Sequence, residues 1–157
     1  MADKKPFRLL FVCLGNICRS PAAEGIMKKF VEDSGRSADF FIDSAGTADW
    51  HEGKFPDARM TRQGSKRGYN FDSIARQVRS EDFSNFDLIL VMDQNNLREI
   101  RHFNPDGNLM HKVMLFTDFA INRSETQVPD PYYGGDDGFE QVLDILEDGC
   151  RELLVRL

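Results

Sequence analysis

The chain opens with a short apolar segment that runs directly into a cysteine, and a helix start follows a few residues later. Residues 7–12, Phe-Arg-Leu-Leu-Phe-Val, are typical of a strand that is buried on both faces of a sheet. Ser20 and Pro21 predict the start of a helix, with Ser20 as the N-cap and Pro21 at the first position. A buried strand that returns through a helix is the unit from which parallel α/β sheets are built.

The rest of the chain repeats this alternation. Further apolar segments predict strands at 40–42, 88–92 and 113–116, and a turn at 44–46 ends the strand at 40–42. Helical segments are predicted at about 21–33, 56–67, 93–103 and 137–157. We therefore expect an α/β fold over residues 1–157, a single domain with an open, doubly wound, four-stranded parallel sheet and helices on both faces. Ligands bind such sheets beyond the carboxyl ends of the strands, and Cys13 comes one residue after the first strand.

Charge and cysteine content narrow the classes of partner. The formal net charge of −6 argues against nucleic acid as the main partner, because phosphate backbones attract basic surfaces. No apolar segment approaches the length of a membrane span. Three cysteines are too few for a disulfide framework, so we expect a reducing, cytoplasmic location. The three histidines, at positions 51, 102 and 111, show no metal-ligand spacing, and His51, His102 and His111 are expected at the surface. We expect neither a metal nor a cofactor.

The segment from Cys13 to Ser20 has the pattern Cys-x5-Arg-Ser and predicts a phosphate-binding loop with a cysteine nucleophile. The dipole of the following helix, the charge of Arg19 and the Ser20 hydroxyl all favour the thiolate, which is the reactive form. Arg19 presents a planar fork to two phosphoryl oxygens. Backbone N–H groups surround the phosphate, and the residues between the two ends supply them: Leu14, Gly15, Asn16, Ile17 and Cys18. The alternative for this loop is a strand-to-helix turn with a buried structural cysteine.

The string Val-Cys-Leu-Gly-Asn-Ile-Cys-Arg-Ser-Pro, which begins at Val12, resembles the phosphate loop of the low-molecular-weight protein tyrosine phosphatase family. Further segments that resemble this family, in the same order, are Asp-Ser-Ala-Gly-Thr at 43–47, Ile-Ala-Arg-Gln at 74–77, Val-Met-Asp at 91–93 and Asp-Pro-Tyr-Tyr-Gly at 130–134. The resemblance covers essentially the whole chain. It implies hydrolysis of phosphotyrosine in protein substrates through a cysteinyl-phosphate, in a loop that also accepts phosphate or vanadate.

Asp130 is the candidate general acid. Proline after it restricts its backbone to extended conformations, although Asp-Pro by itself more often marks only a turn. Beside the Cys-x5-Arg loop and the resemblance, we expect Asp130 to protonate the leaving phenolate and then to activate water. The resemblance also implies that aromatic walls flank the substrate ring, formed by Trp50, Tyr132 and Tyr133. A deep loop with such walls favours phosphotyrosine over the shorter phosphoserine.

The resemblance further implies a supporting set around the loop. Asn16, Ser20 and Ser44 are expected to hold its shape through hydrogen bonds, and Asp93 is expected to orient Arg19 as well as to cap a helix. Ser73 stands where vertebrate members have histidine, so any tuning by that histidine is absent. Cys18 is expected to form a disulfide with Cys13 on oxidation, the alternative being a small apolar filler.

The same residues argue against several other functions. A thioredoxin-coupled arsenate reductase needs further cysteines, and residues 74–100 contain none. The related phosphoarginine hydrolases carry threonine where Ile17 stands. A non-catalytic phosphotyrosine-binding module would be expected to lack Cys13, Arg19 or Asp130, and a zinc site lacks a fourth ligand. We expect a monomer; self-association or phosphorylation at the paired tyrosines, and the physiological substrate, stay open.

Overall fold

A computed structural model describes residues 5–157. Its four parallel strands lie in the order β2-β1-β3-β4, which confirms the open, doubly wound sheet. The strands are Phe7–Cys13 (β1), Phe40–Gly46 (β2), Leu88–Val91 (β3) and Val113–Leu115 (β4). The helices are Arg19–Asp33 (α1), Ala58–Lys66 (α2), Asp82–Asn85 (α3), Gln94–Ile100 (α4) and Asp136–Arg156 (α5), and short 3-10 helices lie at Ser37–Asp39, Arg101–Phe103, Met110–Lys112 and Phe116–Phe119.

The helices cover both faces of the sheet, as predicted. Strand β1 is the clearest sign of this, because its alternate residues face opposite ways and residues 9–12 are all fully buried. Leu9 and Phe11 pack in the larger core with α1, α2 and α5, whereas Leu10 and Val12 pack in a smaller core with α3 and α4. Helices therefore enclose the carboxyl end of β1 on both faces of the sheet, and the loop after β1 begins at the carboxyl ends of the strands.

Two predictions at this end of the sheet were wrong. Residues 44–46 are not a turn: they continue β2, pairing in parallel with β1 as far as Cys13 opposite Gly46. Cys13 is accordingly the last residue of β1 rather than the first residue beyond it. The backbone pairing continues because both strands stay buried, even where their side chains become small and polar.

The predicted N-cap of α1 was also wrong. The helix begins at Arg19, so Ser20 lies inside its first turn, and the cap position belongs to Cys18, whose side chain caps no backbone N–H. Ser20 instead directs its hydroxyl at the loop that precedes the helix. The predicted cap of α4 is confirmed, because Asp93 forms a reciprocal capping box with Asn96 at the start of that helix. At the start of α2, the Asp57 side chain accepts a hydrogen bond from the Arg59 backbone N–H.

Candidate active site

Cys13 lies at the bottom of the loop with its thiol directed at the first turn of α1. Its Sγ is 3.0 Å from the Ser20 hydroxyl oxygen and 3.5 Å from the Ser20 backbone nitrogen, which donates to it. The residue is only 2% exposed, and Ser20 is fully buried. The sulfur therefore lies within hydrogen-bond distance of a hydroxyl and a backbone N–H at the N-terminus of α1, where the helix dipole favours negative charge. The structure thus brings the predicted nucleophile and its predicted hydroxyl donor together.

Asn16 shapes the loop. It is the one residue other than glycine with positive φ (57°) in the described part of the chain, a conformation that asparagine tolerates better than most residues. Its side-chain nitrogen donates to Ser20 Oγ at 2.7 Å and to Ser44 Oγ at 3.0 Å, and its Oδ1 accepts from the Arg76 backbone N–H at 3.0 Å. The predicted set of Asn16, Ser20 and Ser44 is therefore contiguous, and the Arg76 contact is an addition that the sequence did not reveal.

A buried carboxylate extends this set. Ser44 donates to Glu24 Oε1 at 2.6 Å, and Lys28 Nζ lies 2.5 Å from Glu24 Oε2. Glu24 is only 4% exposed, so Lys28, one helical turn further along α1, supplies the neighbouring positive charge. Ser73 lines the same surface cavity as Glu24, so its hydroxyl opens to the same space as this carboxylate.

Arg19 is fixed from three sides. Its Nη1 donates to Asp93 Oδ2 at 2.6 Å and to the Val128 carbonyl at 3.1 Å, while its Nη2 lies 3.6 Å from Asp130 Oδ2. Burial alone lowers the pKa of Arg19, but the nearby Cys13 and Asp93 outweigh it and raise the pKa above its ordinary value. The guanidinium therefore stays charged although the residue is only 2% exposed. Asp93 both caps α4 and holds the arginine, the two roles that were predicted together.

Asp130 stands across a cavity of about 240 Å³ from the loop. Its Oδ1 accepts the Tyr132 backbone N–H at 3.0 Å, and its side chain is partly exposed. Trp50 and Tyr133 are largely exposed at the opening, and the Tyr132 and Tyr133 rings meet edge to face with centroids 5.0 Å apart. The cavity brings together most of the predicted site residues: Cys13, Leu14, Gly15, Ile17, Cys18, Arg19, Trp50, Asp130, Tyr132 and Tyr133.

His51 belongs to this cavity, which corrects the prediction that it is a surface residue. It is half-buried, lines the same cavity, and its ring centroid lies 6.3 Å from that of Tyr132. A β-carbon at Gly15 would lie 2.8 Å from His51 Cδ2, so the loop needs glycine there to admit the imidazole. Its position directly after Trp50 was the only sequence signal that could have pointed to it.

Cys18 faces the cavity from inside the loop. It is 5% exposed, and burial raises the pKa of its thiol far above the ordinary value, with the nearby Asp57 acting in the same direction. Burial therefore favours the protonated form of the Cys18 thiol beside Cys13. The disulfide between the two cysteines stays a prediction.

The contacts of Asp57 and Arg59 were not foreseen. The Asp57 backbone N–H donates to the Ile17 carbonyl of the phosphate loop at 2.7 Å, and Arg59 Nη2 donates to the Tyr132 carbonyl at 2.9 Å. Burial alone raises the pKa of Asp57, but hydrogen bonds from Arg59 outweigh it and lower the pKa below its usual range. The sequence placed Asp57 only at the start of a helix, because no local pattern reveals which loops that helix contacts.

Within residues 5–157, no group of three or more histidine, cysteine, aspartate or glutamate side chains is placed to hold a metal ion. In the same residues, none of the helices combines the length and the apolar character that a bilayer crossing requires. What the site does offer is an oxyanion cradle, formed by loop amides, the α1 dipole and Arg19.

Comparison with known proteins gives a consistent picture. Residues 8–157 match the sequence model of the low molecular weight phosphotyrosine protein phosphatases. The low molecular weight phosphotyrosine protein phosphatase of Schizosaccharomyces pombe is 48% identical over 151 residues, covering 96% of each chain. A crystal structure of an Entamoeba histolytica protein tyrosine phosphatase with Hepes in its active site is 49% identical, with a TM-score of 0.92 over 96% of each chain. The crystal structure of a Drosophila arginine phosphatase is 31% identical, with a TM-score of 0.87 over 94% of this chain and 96% of that one.

Proposed function

Because the chain belongs to the low molecular weight phosphotyrosine protein phosphatase family, it is a protein tyrosine phosphatase, and we propose that Cys13, Arg19 and Asp130 carry out its chemistry. The observation that carries this assignment is their convergence on one cavity. Arg19 lies 3.6 Å from Asp130, and both line the cavity at whose base the Cys13 thiol meets the Ser20 hydroxyl.

The first step is attack of the Cys13 thiolate on phosphorus. The sulfur–phosphorus bond forms as the bond from phosphorus to the phenolic oxygen breaks. Arg19 and the loop amides stabilise the charge on the three equatorial oxygens, while Asp130 gives its proton to the departing phenolate. Cys13 and Asp130 lie at the base and on the wall of one cavity, so nucleophile and acid can act on opposite sides of the phosphorus.

The second step is hydrolysis of the cysteinyl-phosphate. Asp130, now a carboxylate, takes a proton from water, whose oxygen bonds to phosphorus as the sulfur leaves as a thiolate. The Ser20 hydroxyl lies 3.0 Å from that sulfur and stabilises the departing charge. Inorganic phosphate is released, and Asp130 regains the proton that it donated in the first step.

The walls of the cavity favour an aryl phosphate. Trp50, Tyr132 and Tyr133 stand at the opening and can flank a phenyl ring, whereas the nucleophile lies beneath them, out of reach of a short serine phosphate. We propose phosphotyrosine in protein substrates as the substrate, and phosphate or vanadate as anions that occupy the same loop. Hepes, whose sulfonate is also a tetrahedral oxyanion, occupies the active site of the Entamoeba relative.

The test is hydrolysis of a phosphotyrosine peptide with EDTA present, compared between the protein and three variants. Cys13→Ser should abolish turnover, while Cys150→Ser, which replaces a fully buried thiol outside the cavity, should leave turnover unchanged. Asp130→Asn should lower turnover of the peptide by about 10²- to 10⁴-fold, because it removes the proton donor. Activity that persists in Cys13→Ser would overturn the scheme.

The same peptide with phosphoserine or phosphoarginine in place of phosphotyrosine tests the substrate class. The Drosophila neighbour is an arginine phosphatase, so this comparison is a necessary one. Ile17 lines the cavity at the position where the related phosphoarginine hydrolases are expected to carry threonine. Unlike threonine, isoleucine presents no hydroxyl to a guanidinium. We expect the phosphotyrosine peptide to give the highest kcat/KM, and a higher value for phosphoarginine would overturn this assignment.

A further inference from the structure

We propose that Arg59, held by Asp57, is a positioning residue that links the phosphate loop to the loop of the general acid and sets Asp130 over the substrate. This inference rests on the proposed role of Asp130. It assigns a function to two residues outside the phosphate loop, which act through the backbone of the acid loop and touch neither phosphorus nor the leaving group.

The link starts at the phosphate loop. The Asp57 backbone N–H donates to the Ile17 carbonyl at 2.7 Å, and the Asp57 side chain accepts the Arg59 backbone N–H at 2.8 Å as it caps α2. Asp57 is thus tied to the nucleophile loop on one side and to its own helix on the other. Its side chain is only 12% exposed, which limits its freedom to move.

The guanidinium of Arg59 spans the gap to the acid loop. Its Nε and Nη2 contact the two Asp57 carboxylate oxygens at 3.1 and 3.0 Å, and Nη2 also donates to the Tyr132 carbonyl at 2.9 Å. The guanidinium carbon lies 5.4 Å from the Tyr132 ring centroid and 4.8 Å from that of Phe139, which is fully buried in α5. The planar guanidinium can bind both Asp57 carboxylate oxygens and the Tyr132 carbonyl at the same time, and a lysine ammonium lacks the geometry to do so.

The link ends at the acid. The peptide units on both sides of Tyr132 are fixed: its carbonyl by Arg59 and its N–H by Asp130 Oδ1, at 3.0 Å. Among residues 5–157, the charged partner of Asp130 is Arg19 at 3.6 Å, beyond normal hydrogen-bond distance. The orientation of the Asp130 carboxyl therefore depends on the Tyr132 backbone, and so on Arg59.

Loss of the link should affect only chemistry that needs the proton. Departure of a weakly acidic phenol requires protonation, whereas departure of a strongly acidic phenol does not. For Arg59→Met we expect kcat/KM for phenyl phosphate to fall about tenfold, and kcat/KM for a nitro- and fluoro-substituted aryl phosphate to fall less than twofold. Arg59→Lys should resemble Arg59→Met, because it lacks the fork. Arg62→Met, an exposed arginine on the same helix, should leave both substrates unchanged.

Equal losses on both substrates would overturn the inference, since they would indicate general damage to the loop. A double variant separates this result from failure of the proposed function. If Asp130→Asn alone lowers kcat/KM for phenyl phosphate much more than kcat/KM for the activated aryl phosphate, adding Arg59→Met should cost less than twofold more on phenyl phosphate. A full further tenfold loss would show that Arg59 acts independently of Asp130. No leaving-group effect from Asp130→Asn would instead refute the acid role itself.

Discussion

The hydrogen bond between Ser20 and Cys13 should matter most in the second chemical step. Asn16 donates to Ser20 Oγ at 2.7 Å, which occupies a lone pair, and the Ser20 hydroxyl hydrogen has two acceptors within reach, Cys13 Sγ at 3.0 Å and the Ala45 carbonyl at 3.3 Å. A negatively charged sulfur is the stronger acceptor of the two. Sulfur is neutral in the cysteinyl-phosphate and becomes an anion as it leaves. The Ser20 bond therefore strengthens along this step, whereas during attack it weakens, because the sulfur then gives up its charge.

The size of the effect follows from burial. Ser20 is 0% and Cys13 2% exposed, so water has little access to replace a lost hydroxyl. A hydrogen bond to a charged group contributes about 1.5 to 3 kcal/mol. At about 1.4 kcal/mol for each factor of ten, Ser20→Ala should slow hydrolysis of the cysteinyl-phosphate by about 10- to 150-fold.

Rapid mixing with p-nitrophenyl phosphate, at a pH where the thiol is ionised, resolves the two steps. Ser20→Ala should release a burst of about one nitrophenol per enzyme, followed by a slow steady rate, because phosphoenzyme accumulates. Ser44→Ala is the matched control, since Ser44 contacts Asn16 but not the sulfur, and it should give no burst. Slower attack with no burst in Ser20→Ala would refute this reasoning.

Two further predictions follow from the surroundings of the loop. Arg76→Met removes the 2.9 Å ion pair of Asp82, whose side chain is only 1% exposed, and leaves that carboxylate with a backbone N–H as its partner. The free energy of unfolding should fall by about 3 kcal/mol and the Tm by about 6 to 12 °C. Calorimetry measures both, and a shift below 2 °C would contradict the assignment. Gly46→Ala places a β-carbon 2.7 Å from the Leu14 carbonyl oxygen of the phosphate loop and should lower kcat/KM more than tenfold. The control, Gly135→Ala, adds a β-carbon in open space and should match the unmodified protein. Equal activity in the two glycine variants would contradict the close packing.

The nucleophile and its arginine were recognisable from the sequence because the groups they need are contiguous. Cys13, the loop amides, Arg19 and the helix start lie within eight residues, so strand and helix signals place them together without knowledge of the rest of the fold. The sheet was predictable for a related reason. Its central strands, β1 and β3, are short apolar segments buried over most of their length, and alternation with helices leaves parallel pairing as the natural arrangement.

The errors fall where the site begins. The apolar pattern stops at Ile42, because Ser44 is a polar residue that hydrogen-bonds to Asn16 of the phosphate loop. The predicted strand therefore ended four residues too early. His51 and Arg59 were missed for a different reason. Their roles come from contacts with Gly15 and Tyr132, at separations of 36 and 73 residues, and local patterns do not report such distances.

The charges around Arg19 bear on the proposed alternation of Asp130 between acid and base. Arg19 faces Asp93 at 2.6 Å and Asp130 at 3.6 Å, with the Cys13 sulfur in the same cavity. A dianionic phosphate that enters this cavity adds two negative charges beside one arginine, and closely placed like charges repel one another. Asp93 is bound directly to Arg19 and caps a helix, whereas Asp130 is the more exposed of the two and lies beyond hydrogen-bond distance of the arginine. In the proposed first step, transfer of a proton from Asp130 to the leaving group leaves a carboxylate that can accept a proton from water in the second step.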